Sequence, residues 1–214
     1  MDAPVRPARP TWLGTLRRFS RETPAASPCE LCSAGLTVRH QHLVELATRQ
    51  LRCCCDACAI LFDRQGDLKY RRVPRRIEAL SDFRLTDFQW DSLLIPINMA
   101  FFYRSSVADR IVAMYPGPAG AAESLLDLEA WEELAEENPI LRELEPDVEA
   151  LLVNRVDAVH EYYRVPIDRC YTLVGVIRAH WRGLSGGAAA WREIRAFFAR
   201  LGDEARPARG RSHG

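Results

Sequence analysis

Lysine is nearly missing from this chain: of the 29 basic residues only Lys69 is not an arginine, a bias we read as the codon usage of a GC-rich genome. Net charge is missing as well, since 29 acidic residues balance the 29 basic ones, and this argues against a dedicated polyanion binder. No apolar run reaches the roughly 20 residues that a membrane-spanning helix needs. The start, MDAPVRPARPTWLG, carries arginines without the apolar core of a secretory leader. These absences predict a cytoplasmic protein, where thiols stay reduced and clustered cysteines are expected to be ligands rather than disulfides. No internal repeat is present, and PGPAG lacks the lysine and serine that a phosphate loop places after its glycines.

What is present begins with an ordinary globular composition, 48% hydrophobic and 27% charged, enough for a real core. At 214 residues the chain is either one large domain or a small module followed by a domain of about 150 residues. The charge is unevenly laid out. Eleven acidic residues and one basic residue, Arg142, lie between Glu123 and Glu149, whereas eight arginines face three acids from Arg178 onward. Such polarity suits docking to a protein partner, although a solvated helix face and a basic tail would give the same pattern.

Six of the seven cysteines fall between Cys29 and Cys58, in CELCSAGLTVRHQHLVELATRQLRCCCDAC. Cys29 with Cys32 and Cys55 with Cys58 form two CxxC pairs with 22 residues between them. Two intervening residues let both sulfurs of a pair face one point from a tight turn, as a tetrahedral metal requires. The first choice of ligands is therefore Cys29, Cys32, Cys55 and Cys58, with Cys53 in reserve, and His40 or His42 can replace a thiolate. Zinc is the expected ion, and an iron–sulfur cluster, also held by four cysteines, is the alternative. CELC followed by HxH invites comparison with treble-clef HNH-type nucleases, but AILFDRQGD after Cys58 lacks the histidine that their catalytic metal needs. The simpler expectation is one packed and one exposed histidine.

Taken in order, residues 1–28 hold five prolines and one short candidate helix around Trp12 to Phe19 and read as a mobile arm. After Gly35 come a turn, two strands and a helix containing Ala57, Ile60, Leu61 and Phe62, a treble-clef-like arrangement. LKYRRVPRR is a short basic strand stopped by Pro74. Its Arg71, Arg72, Arg75 and Arg76 raise nucleic-acid binding as a third reading, without the aromatic platform that single strands need. FRLTDFQW alternates loosely, LLIPINMAFFY has the apolar content of a buried strand with an edge, a bulge or a break implied by Pro96, and DRIVAMY is a further strand ending in a PGPAGA loop. Asp127 is the expected N-cap of LEAWEELAEEN, with Leu128, Trp131, Leu134 and Ala135 on one face and acids opposite. PDVEALLVNRVDAVHEYYRV reads as one or two strands, although Val148, Leu151 and Leu152 could equally extend a helix. Two helices close the chain: Pro166 starts the first, with Cys170, Leu173, Val174, Ile177 and Trp181 along it, and Trp191, Ile194, Phe198 and Leu201 stripe the second. Cys170 is expected in the core. The spacing of Asp168, His180, Tyr162 and Tyr163 demands no acid–base site.

Together, CELC, HQHLVEL, CDACAILF, IPIN, YPGPAGAAES, PDVEALLVNR and VPIDRCYTLVGVIRAHWRGLSGG resemble an uncharacterised bacterial family, over about Cys29 to Leu201. Members of that family tend to be encoded beside subunits of nickel–iron hydrogenases, so the resemblance implies an accessory role in their assembly or electron transfer. Its second cluster resembles Cys-x-Cys-x-x-Cys, matched here by Cys53, Cys55 and Cys58. Cys54 stands in the middle as a departure, which raises the standing of Cys53. The expected architecture is α+β. An arm (1–28) leads into a treble-clef-like or zinc-ribbon-like module (29–66), then a mostly antiparallel sheet with C-terminal helices (67–202) and a flexible tail (203–214). The expected function is that of a non-catalytic metal-binding accessory protein with hydrogenase subunits or maturation factors as partners. An iron–sulfur electron carrier and a zinc-module nucleic-acid binder are the alternatives.

Overall fold

MAFFYRS is apolar at successive positions, and a strand with that pattern is stable only where both of its faces are covered. The computed structural model, which describes residues 27–63, 69–124, 128–157 and 159–208, places it in the middle of a seven-stranded sheet. In chain order the strands are β1 (Gln41–Glu45), β2 (Gln50–Cys54), β3 (Tyr70–Arg72), β4 (Glu78–Ala79), β5 (Met99–Ser105), β6 (Arg110–Gly117), β7 (Gly120–Ser124), β8 (Glu149–Asn154), β9 (Glu161–Pro166) and β10 (Arg206–Pro207). The helices are α1 (Asp56–Phe62), α2 (Asp87–Ser92), α3 (Leu128–Glu137), α4 (Ile167–His180) and α5 (Gly187–Glu204). The large sheet runs β10-β4-β9-β8-β5-β6-β7, antiparallel except for the parallel β10–β4 pair, and a small antiparallel sheet runs β2-β1-β3. The α+β expectation, with a cysteine module ahead of a mostly antiparallel sheet, is met.

Alternation along β5 builds two cores. Met99, Phe101 and Tyr103 meet Cys170, Leu173, Ile177, Ile194 and Phe198 of α4 and α5 on one side. Ala100 and Phe102 meet Trp90 of α2 and Trp131 and Leu134 of α3 on the other. Phe101 and Phe102 are both fully buried, and each such burial is worth about 1.5–3 kcal/mol. On α3 the expected division holds: Trp131, Leu134 and Ala135 are buried while Glu132, Glu133, Glu136 and Glu137 are exposed.

Several local outcomes differ from the sequence pattern. FRLTDFQW contains a helix, α2, because Thr86 and Gln89 close a reciprocal capping box that directs the chain into a helical turn. PGPAGA is not a free loop: Pro116 and Gly117 belong to β6, Gly120 and Ala121 to β7, and Pro118 with Ala119 makes the turn between them. Gly120 has φ +130°, a backbone conformation that a side chain would strain. Beyond α5, Arg206 and Pro207 pair with β4. The candidate helix around Trp12 to Phe19 and the N-cap residue Asp127 lie outside the described residues.

In the small sheet β1 is central, and its two faces serve different purposes. Leu43 packs with Cys29, Leu36, Cys54, Cys58 and Tyr70, whereas Val44 joins the core beneath α4 and α5. Because β3 pairs with β1, the sheet of the cysteine module takes in residues beyond position 66. Among the described residues no helix is long and apolar enough to cross a membrane.

Candidate metal centre

The first CxxC pair sits in a closed knuckle. Pro28 and Gly35 bridge in antiparallel fashion, the Cys29 amide donates to the Ala34 carbonyl at 2.7 Å, and the Ser33 amide donates to the Cys29 carbonyl at 2.8 Å. The Glu30 amide, donating to the Cys53 carbonyl at 2.9 Å, ties the knuckle to β2. The second pair is set by the start of α1: Cys55 is its N-cap, and its sulfur accepts from the Cys58 amide at 3.5 Å. Knuckle, hairpin and helix start thus bring both pairs to one point.

The sulfurs of Cys29, Cys32, Cys55 and Cys58 all lie within 4.8 Å of one another, and those of Cys32 and Cys55 are 3.6 Å apart. Tetrahedral zinc with bonds of about 2.3 Å to sulfur would set its ligands about 3.8 Å apart, so this donor set fits a single ion. All seven cysteines are free thiols. Burial acts to raise the Cys29 thiol, but the amides of Cys55, Leu31 and Cys32 point at the sulfur and outweigh it, pulling it from 9.0 down to about 6. Burial and the neighbouring sulfurs push Cys58 up. Four thiolates so close together cannot all ionise unaided, and a cation at their centre removes the conflict. The arrangement can hold a metal ion.

The remaining candidates separate by strand register. Cys54 faces Gln41 across the β1–β2 ladder and is fully buried, which pushes its thiol up to about 12 and makes it a core residue. Cys53 faces His42. It is not part of the four-sulfur group; with His40 and His42 it forms a second group whose ligand atoms lie within 4.8 Å of one another. The expectation of one packed and one exposed histidine is not met, since both rings are partly buried and meet edge to face with centroids 4.8 Å apart. His42 Nδ1 is 2.8 Å from Asp168 Oδ2 at the start of α4, a contact across 126 residues that sequence reasoning missed. No local signal could have found it, because Asp168 is set by a separate helix.

A profile of a family of unknown function, DUF5947, matches residues 28–205. The chain belongs to that family. A search of curated proteins and of solved structures found no match. The DUF5947 match begins one residue before Cys29 and ends one residue after α5, so the family unit takes in the cysteine site, the small sheet and both cores together.

Proposed function

We propose that this DUF5947 chain is a non-catalytic accessory protein in which one zinc ion, held by Cys29, Cys32, Cys55 and Cys58, folds a docking module for a protein partner. The carrying observation is the convergence of four sulfurs within 4.8 Å. Four protein ligands complete zinc's preferred coordination and leave no position for water or substrate. The ion's contribution is then stability, on the order of 10–16 kcal/mol for structural zinc in small modules. An iron–sulfur cluster is the second reading. The close sulfur spacing supports a single ion over it, because a cluster spreads its cysteines around several iron atoms.

Docking is supported by apolar side chains that the module leaves in solvent: Val38 is 98% exposed, Ile60 66% and Leu61 54%. The acidic face of α3 offers a second, charged surface. The nucleic-acid reading is weakened because two of its four arginines are already paired with buried carboxylates, Arg71 with Asp147 and Arg76 with Glu149. The partner we propose is a metalloenzyme such as a nickel–iron hydrogenase, or its maturation machinery, on the strength of the family resemblance.

Metal analysis with a visible spectrum tests the first half. A colourless protein holding about one chelator-resistant zinc, lost in Cys32→Ser, is expected. A brown protein containing iron and sulfide would overturn zinc in favour of the cluster. Affinity capture with hydrogenase subunits tests the second half, with binding expected to fall in Ile60→Glu and Leu61→Glu. Binding unchanged by those substitutions, or absent throughout, would overturn the docking surface.

A further inference from the structure

We infer that His40, His42 and Cys53 form a second metal site, separate from the four cysteines, for a late first-row divalent transition-metal ion. The residues come together by strand register. His42 and Cys53 are directly opposed across the β1–β2 ladder, so their side chains leave the same face, and His40 lies two residues before His42. The ligand atoms of the three residues lie within 4.8 Å of one another, and none of them belongs to the four-sulfur group.

The hydrogen bonds of the two rings point to the same end. His40 Nδ1 lies 2.9 Å from the Thr37 carbonyl oxygen, and His42 Nδ1 lies 2.8 Å from Asp168 Oδ2. A carbonyl and a carboxylate only accept, so both rings carry their proton on Nδ1, and in the neutral form both present the Nε2 lone pair. His40 Nε2 is buried and has no partner among the described residues, a cost that packing alone leaves unexplained. A carboxylate or carbonyl on the distal nitrogen, with the lone pair kept for a ligand, is the support that metal-bound histidines show. Asp168 is a positioning residue in this arrangement. It sits in the first turn of α4, where the helix favours its charge, and its other oxygen, Oδ1, is also buried without a partner among the described residues.

Two imidazoles and a thiolate form a borderline-soft donor set, suited to zinc and its first-row neighbours and unsuited to calcium or magnesium. Three protein ligands leave a coordination position open, unlike the closed four-cysteine set. His40, His42 and Asp168 line a cleft of about 580 Å³, which gives an ion a way in.

Cobalt(II) titration of the full-length protein under anaerobic conditions tests the site, with sulfur-to-cobalt absorption and metal content as readouts. Wild type should take up about two ions per chain, the less tightly held one yielding first to a chelator. Cys53→Ser, a single-atom change, and His40→Ala should each hold about one ion and keep the four-thiolate spectrum. Asp168→Asn should bind the second ion about 10–100-fold more weakly. One ion in wild type, as expected if only a water sits on His40 Nε2, would overturn the second site and leave the zinc module standing. So would a second ion that persists unchanged in both ligand variants. Binding of no ion would overturn both sites.

Discussion

Glu149 is a carboxylate 1% exposed, at the start of β8, and the fold keeps it charged. Arg164 on β9 donates to Oε2 from Nε at 2.8 Å and from its terminal nitrogen, Arg76 donates to Oε1 at 2.8 Å, and the Glu145 amide donates to Oε2 at 2.9 Å. Burial by itself would raise this carboxyl, but the Arg164 hydrogen bonds together with the Glu145 amide and Arg76 outweigh it and hold the group below the usual 4.5. A depressed carboxylate stabilises the fold fully above its unfolded value, and the benefit is lost as pH falls through the folded one. Acid denaturation should therefore steepen below about pH 4.5 in wild type. Glu149→Gln leaves Arg164 buried without its main counter-charge and should cost about 3–5 kcal/mol at neutral pH. Urea melts of both proteins across pH check this; an equal loss at every pH would show that shape rather than charge is responsible. None of this network was legible in the sequence, because Glu149, Arg164 and Arg76 come from separate segments and acquire meaning only when β8 and β9 pair.

Among the elements, β1 carries the most consequence. Its period-2 alternation points Leu43 at the cysteine cluster and Val44 at the core beneath α4 and α5, so one short strand joins the two. HQHLVEL shows the alternation, but which face meets which core depends on elements far along the chain. The corner between α4 and α5 holds Gly183, Gly186 and Gly187, and its geometry shows what one of them is for. Gly186 has φ +83°, and a Cβ there would stand 2.8 Å from the Trp181 ring. That ring is held by its indole N–H donating to the Gly183 carbonyl at 3.0 Å, so it cannot swing away freely. Gly186→Ala should cost roughly 2–4 kcal/mol, combining left-handed backbone strain with overpacking. A thermal melt checks this. A loss no larger than that of Gly175→Ala, where a Cβ meets nothing within 4 Å and helix propensity improves, would show that the corner tolerates the side chain.

For the molecule as a whole, the shared strand predicts how loss of metal spreads. If the four cysteines hold the proposed ion, stripping it should remove hydrogen-exchange protection from the knuckle, β1, β2 and α1, since so small a module would rely on it. Central strands β5 and β8, covered on both faces, should keep theirs, while overall stability falls because Val44 and Leu46 belong to the larger core. Uniform loss across the chain would show that the two sheets fold as one cooperative unit. The sequence alone marked the two CxxC pairs as the first choice of ligands, because CxxC spacing is a local geometric constraint that the backbone must satisfy wherever the segment lies. It also determined the α+β class and the two C-terminal helices, whose periodicity records which face is buried. Only the tertiary structure decided that Cys53 stands with His40 and His42 rather than with the other thiols, because strand register, not spacing, selects the face. The Asp168 contact and the Glu149 network are tertiary decisions for the same reason: their partners are joined by packing between elements, which no local pattern encodes.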